Sequence, residues 1–114
     1  AFHSSFMKNA ADTFQNDLQQ VSWRELTLPV IANVSARPVQ QSELADSLYR
    51  QLYSPVQWED TLQFMAGQGV QTFIEVGPGK VLSGLVKKTI KEARILNCED
   101  STSMKKALAI LKEV

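Results

Sequence analysis

The run VQTFIEV, Val70 to Val76, leads straight into GPGK and from there into VLSGLVKK. Its β-branched and aromatic residues predict a strand. Two glycines around one proline suit a tight turn, where backbone freedom matters more than any side chain. A helix is then expected from Val81 to about Lys91. A strand that turns at once into a helix is the unit from which parallel sheets with covering helices are built.

The rest of the chain extends this alternation. Phe6, Ala10, Phe14, Leu18 and Val21 recur at helical spacing. They predict an amphipathic helix from Ser4 or Ser5 to about Gln20, with a serine as cap. LTLPVIANV, Leu26 to Val34, reads as a buried strand, with Pro29 placing it at an edge or delaying its start. Arg37-Pro38 then favours an extended turn. A second helix is expected from Ser42 through Leu44, Leu48 and Leu52 to about Tyr53. Ser54-Pro55 opens a third, which carries Val56, Trp58, Leu62 and Met65 and is stopped by Gly67 and Gly69. ARILNC supplies a last short strand, and Ser101 or Ser103 caps a helix from Met104 to Lys112.

The expected fold class is α/β, with short parallel strands and flanking helices. Parallel strands normally have both faces covered, and this chain offers few strands to do it. At least one strand edge and one apolar face should therefore be left for something else, so the fold is expected to be incomplete. At 114 residues there is room for one modest core, and residues 1–114 are read as a single segment.

Charge and cysteine usage narrow the function. Lys and Arg number 12, as do Asp and Glu, so no chain-wide field attracts nucleic acid or an anionic membrane. No stretch approaches the ~20 apolar residues that span a bilayer, and the opening residues lack a signal-peptide pattern. Cys98 is the single cysteine; it permits no internal disulfide, which suits a reducing compartment. A cytoplasmic location without nucleic-acid or membrane partners is expected. One histidine and one distant cysteine have no ligand-like spacing, so no metal site is expected.

Few residues announce chemistry by themselves. GPGK departs from the phosphate-binding loop, which needs four residues between its glycines and a Ser or Thr after the lysine; here Val81 follows Lys80. The dinucleotide pattern fails at Leu82. No serine lies in a Gly-x-Ser-x-Gly elbow, and VLSGL around Ser83 misses it. Cys98 is followed by Glu99 and Asp100, acids that oppose thiolate formation. The chain shows no nucleophile, and its only histidine, His3, stands at its edge.

Three strings around these residues are informative together: AFHSSFM from Ala1, RQLYSPVQW from Arg50 to Trp58, and EVGPGKVLSGLVKK from Glu75 to Lys88. In this order and spacing they resemble the C-terminal portion of the malonyl-CoA:acyl-carrier-protein transacylases, the acyltransferases of fatty-acid and polyketide synthesis. The resemblance covers essentially the whole chain. It implies the C-terminal part of an α/β-hydrolase-like subdomain, with the serine elbow and the ferredoxin-like insert lying upstream.

The resemblance also implies an activity and roles. A serine takes malonyl from coenzyme A as an ester and passes it to the phosphopantetheine thiol of acyl carrier protein, without a cofactor. The histidine of the Phe-His motif is the serine's base, a position held by His3. Imidazole suits the task because it titrates near neutrality. A base needs an acceptor on its other nitrogen, and the family uses the backbone carbonyl of the glutamine in RQLY, here Gln51. From sequence alone Gln51 reads better as a helix-surface glutamine; only the flanking match to the family makes the two readings equal. Phe2 matches the Ala-Phe-His of malonyl-selective members, where methylmalonyl-selective ones tend to have Ala-Ser-His; an aromatic ring leaves little room for an α-methyl branch. The role of the arginine that pairs with the malonyl carboxylate transfers to none of Arg24, Arg37, Arg50 and Arg94.

The expected partners are thus the upstream half of the same enzyme, a coenzyme A thioester and acyl carrier protein. The missing initiator methionine is compatible with an excised or processed segment, expected to be inactive alone for want of the nucleophile. Alternatively, the chain is a non-catalytic fragment that contributes structure or docks the carrier protein. Lys80, Lys87, Lys88 and Lys91 would then face an acidic partner.

Overall fold

The computed structural model describes residues 1–113. The chain divides into two compact units, Ala1–Thr61 and the residues from Leu62 onward.

In the first unit a 3-10 turn, Ser5–Met7, precedes helix α1, Lys8–Leu18. Ser4 is extended ahead of the turn, but its hydroxyl donates to Ala1 O (2.6 Å) rather than capping the helix. The expected serine cap is therefore absent. A second 3-10 turn, Gln41–Glu43, leads into α2, Leu44–Gln51, which packs against α1. Ala11 and Leu18 on α1 are buried, as are Ala32 and Ala36 in the loop between the helices. Phe6 and Phe14, which the spacing assigned to the buried stripe of α1, stay exposed, Phe6 at 87%.

The strand expected over Leu26–Val34 does not form. Only Ile31 and Pro38 make an isolated antiparallel bridge. Pro29 has no N–H to give a ladder, and the loop satisfies its backbone locally instead. Ala32 N–H donates to Arg37 O (3.0 Å) and Val39 N–H to Val30 O (2.9 Å). The Gln41 side chain accepts from Leu26 N–H and donates to Arg24 O, both at 3.0 Å. The third helix, α3, also starts later than Ser54-Pro55 suggested: it runs Trp58–Gly67. Ser54 N–H still belongs to the end of α2, donating to Arg50 O (3.0 Å).

In the second unit β1, Thr72–Val76, and β2, Arg94–Cys98, pair in parallel with α4, Val81–Thr89, as the crossover. The register runs from Thr72 opposite Arg94 to Val76 opposite Cys98. Helix α5, Ser101–Lys112, packs on β2, while α4 touches both strands. Val86, Leu96 and Ala107, one from each of α4, β2 and α5, are buried, and Leu62 on α3 is fully so. Neither Ser101 nor Ser103 is the cap of α5. Asp100 is, accepting from Ser103 N–H (2.7 Å), while Ser103 Oγ in turn accepts from Asp100 N–H (2.9 Å). This reciprocal box satisfies two N-terminal amides at once.

Among the described residues the sheet has only these two strands, so each keeps an edge without a strand partner. Apolar surface accompanies it: Val76 is 80% exposed and Val81 75%. No helix among the described residues is long and apolar enough to cross a membrane.

Candidate active site

A helix leaves its last carbonyls without internal partners. At the end of α2, Tyr49 O accepts from Leu52 N–H, and Arg50 O accepts from the amides of Tyr53 and Ser54. The next two carbonyls are taken by one residue. His3 N–H donates to Leu52 O at 2.9 Å, and His3 Nδ1 lies 2.8 Å from Gln51 O. Because a carbonyl can only accept, Nδ1 carries the proton in this contact. The Nε2 lone pair is then free in the neutral ring.

His3 makes both bonds from a left-handed backbone conformation, φ +62°. A non-glycine residue held there is strained and persists where its surroundings over-determine it; such positions cluster at functional sites. The expected pairing of His3 with the Gln51 carbonyl is thus present as geometry, and the Gln51 side chain plays no part in it. Phe2 adjoins His3 in sequence and is 69% exposed. No enclosing wall surrounds its ring.

A cluster that sequence reasoning did not single out bridges α1 and α2 nearby. Lys8 Nζ contacts Asp12 Oδ1 (2.5 Å) and Tyr49 Oη (2.6 Å), and Tyr49 Oη donates to Asp12 Oδ1 (2.7 Å). Lys8 also lies over the Tyr49 and Tyr53 rings, which meet edge to face. The hydrogen bond from Lys8, then that from Tyr49, holds the Asp12 carboxyl below its ordinary pKa. For Lys8, its bond to Asp12 and then its contact with the Tyr49 hydroxyl raise the pKa. The Lys8–Asp12 spacing was legible as a helical i, i+4 pair, but nothing in the sequence announced Tyr49.

At the other turn, GPGK, the structure explains why no phosphate-binding loop exists. The amides of Leu82 and Ser83 at the start of α4 donate to the two oxygens of Glu75 (3.1 and 2.8 Å), and Ser83 Oγ donates to it as well (2.5 Å). A carboxylate of the chain itself fills the place an anion would take. These bonds, the Ser83 hydroxyl foremost, lower the Glu75 pKa. Asn97 on β2 and Glu99 just after it clamp the turn, at Gly79 O (2.8 Å) and Gly79 N–H (3.1 Å). Gly77 and Gly79 have φ of +134° and +84°, which L side chains rarely adopt.

Of the lysines considered for docking, Lys87 and Lys88 lie in the last turn of α4, where they complement the helix dipole. Lys80 precedes the helix and Lys91 follows it. Cys98 is a free, half-buried thiol at the end of β2. No cluster of three or more metal-ligating side chains occurs among the described residues.

No family model matches the chain. Individual proteins do. A malonyl CoA-acyl carrier protein transacylase of Bacillus subtilis is 41% identical over 113 residues, covering 98% of this chain and 36% of that protein. One from Staphylococcus aureus is 40% identical over 105 residues, covering 91% and 34%. The relatives of this chain are malonyl-CoA:acyl-carrier-protein transacylases. Solved transacylases agree in three dimensions. The Clostridium perfringens enzyme superimposes with a TM-score of 0.90 at 37% identity, over 98% of this chain and 36% of that one. A malonyl-transacylase in complex with its type II PKS acyl-carrier protein gives 0.90 at 34%, over 96% and 36%. The chain spans about a third of the length of these transacylases, consistent with the C-terminal portion to which its three strings pointed.

Proposed function

We propose that this chain is the base-carrying segment of a malonyl transacylase, moving malonyl from malonyl-CoA to the phosphopantetheine thiol of acyl carrier protein. A serine of the upstream part attacks the thioester carbonyl. His3 Nε2 takes the hydroxyl proton and returns it to the departing coenzyme A sulfur, leaving a malonyl ester on the serine. In the second half-reaction the carrier thiol attacks that ester. His3 takes the thiol proton and gives it back to the serine oxygen, so the cycle is ping-pong and calls for no cofactor.

The observation that carries this assignment is the His3 Nδ1–Gln51 O contact of 2.8 Å. It sets the tautomer that a base acting through Nε2 requires. Positive charge arising on the ring falls at the negative end of α2. A carbonyl orients the ring as a carboxylate would, without contributing a full charge. Phe2, beside the base, is assigned to crowd the α-carbon of the acyl group and so to favour malonyl. The exposed apolar residues of β1 and α4 are assigned to the upstream half, and the reaction to the cytoplasm.

The test is malonyl transfer from malonyl-CoA to a carrier protein by the chain alone, and by the chain mixed with a separately made upstream half. Activity is expected only in the mixture, and His3→Ala abolishes it. Transfer by the chain alone would show that a nucleophile has been overlooked. A mixture that associates but stays silent would favour a structural or carrier-docking role instead, through Lys80, Lys87, Lys88 and Lys91.

A further inference from the structure

Two clamps join the same two segments of the first unit. At one, His3 holds the Gln51 and Leu52 carbonyls; at the other, Lys8 and Asp12 on α1 hold Tyr49 on α2. Tyr49 is two residues before Gln51, and Lys8 five after His3. The second clamp is a closed triangle: each of Lys8, Asp12 and Tyr49 contacts the other two, and Lys8 is also packed over two rings. Lys8 and Asp12 face solvent, where an ion pair adds little to stability, and Tyr49 is half-buried. Two of its bonds, both to the Tyr49 hydroxyl, cross from α1 to α2, and two bonds converging on one atom tie the start of α1 to the end of α2 in one relative position.

That offset matters at His3. Its left-handed φ of +62° is unfavourable and needs surroundings that over-determine it. Ser4 and the 3-10 turn Ser5–Met7 link His3 to Lys8, so movement of the first turn of α1 along α2 draws the imidazole off the Gln51 carbonyl. We infer that Tyr49, with Lys8 and Asp12, is a positioning residue for the His3 imidazole, locking α1 to α2 in the register that keeps Nδ1 on Gln51 O and Nε2 free. This inference rests on the proposed role of His3 as the base, but its structural half can be read without turnover.

The experiment uses the chain, with its one histidine ring labelled with 15N, assembled with the unlabelled upstream half. Tyr49→Phe, which removes only the hydroxyl, is compared with wild type, and Lys8→Met with Lys8→Arg. The 15N ring shifts report the tautomer, and steady-state kinetics separate kcat from KM. Tyr49→Phe and Lys8→Met are expected to populate the Nε2-protonated tautomer. They should lower kcat by up to about a hundredfold, the cost of misplacing a catalytic group by about 1 Å, with KM for malonyl-CoA unchanged. Lys8→Arg restores part of both readouts. An unaltered tautomer in both Tyr49→Phe and Lys8→Met overturns the inference, including the case where kcat falls only because the fold is weakened. If the tautomer shifts but wild type transfers no malonyl, the positioning stands and the proposed function is what fails.

Discussion

Glu75, next to the last residue of β1, holds Ser83 on α4 through both its amide and its hydroxyl. The strand thereby caps the helix that follows it, across a turn too short to supply a cap of its own. Lys80, at the cap position, makes no side-chain cap bond. Glu75→Ala is therefore expected to fray the start of α4, with faster amide exchange at Leu82 and Ser83 than in wild type and a lower Tm. Exchange rates that do not change at those two amides would show that the turn holds the helix without Glu75.

The same contact gives an acid limit to stability. The folded-state pKa of Glu75 lies below its ordinary value of 4.5, and Asp12 and Asp100 are likewise lowered. A carboxyl with a depressed native pKa is deprotonated in the folded state while the unfolded chain already takes up a proton, so its contribution exists above the unfolded value. That contribution drains away as pH falls through the folded one. Denaturation midpoints should hold steady above about pH 5 and decline below it. Glu75→Gln should flatten part of that decline, which equilibrium unfolding at several pH values would measure.

Much of this fold was legible because its signals are local. The strand from VQTFIEV, the turn at GPGK and the helix after it each follow from adjacent residues, and β1, α4 and β2 sit within a residue or two of expectation. Leu26–Val34 misled for the opposite reason. Its apolar run resembles a buried strand, yet whether it pairs depends on a partner elsewhere, and it found only the Ile31–Pro38 bridge. Phe6 shows the same limit: helical spacing places it on a stripe but cannot say whether anything covers that stripe. At the site, the string around RQLY pointed to Gln51, whereas the left-handed backbone of His3 and the role of Tyr49 depend on how two helices meet.

Leu62 tests the core directly. It is the largest fully buried side chain among the described residues, and Leu62→Ala should cost about 2–5 kcal/mol, the transfer term plus a residual cavity. Chemical denaturation of the chain, followed through Trp23 and Trp58 fluorescence, measures it. A loss under about 1 kcal/mol would mean that neighbouring side chains collapse into the space.

Gln51 offers a sharper test of the proposed catalytic arrangement, because its contribution comes from the backbone. His3 Nδ1 contacts the carbonyl of Gln51 and not its amide side chain. Gln51→Ala removes the side chain, keeps that carbonyl and retains good helix propensity at the end of α2. In the assembled enzyme it should reduce malonyl transfer by less than about tenfold, whereas His3→Ala, which removes the base itself, should cost on the order of a thousandfold or more. A comparable loss from both variants would mean that the Gln51 side chain, rather than its carbonyl, does the work, and the tautomer argument for His3 would have to be abandoned.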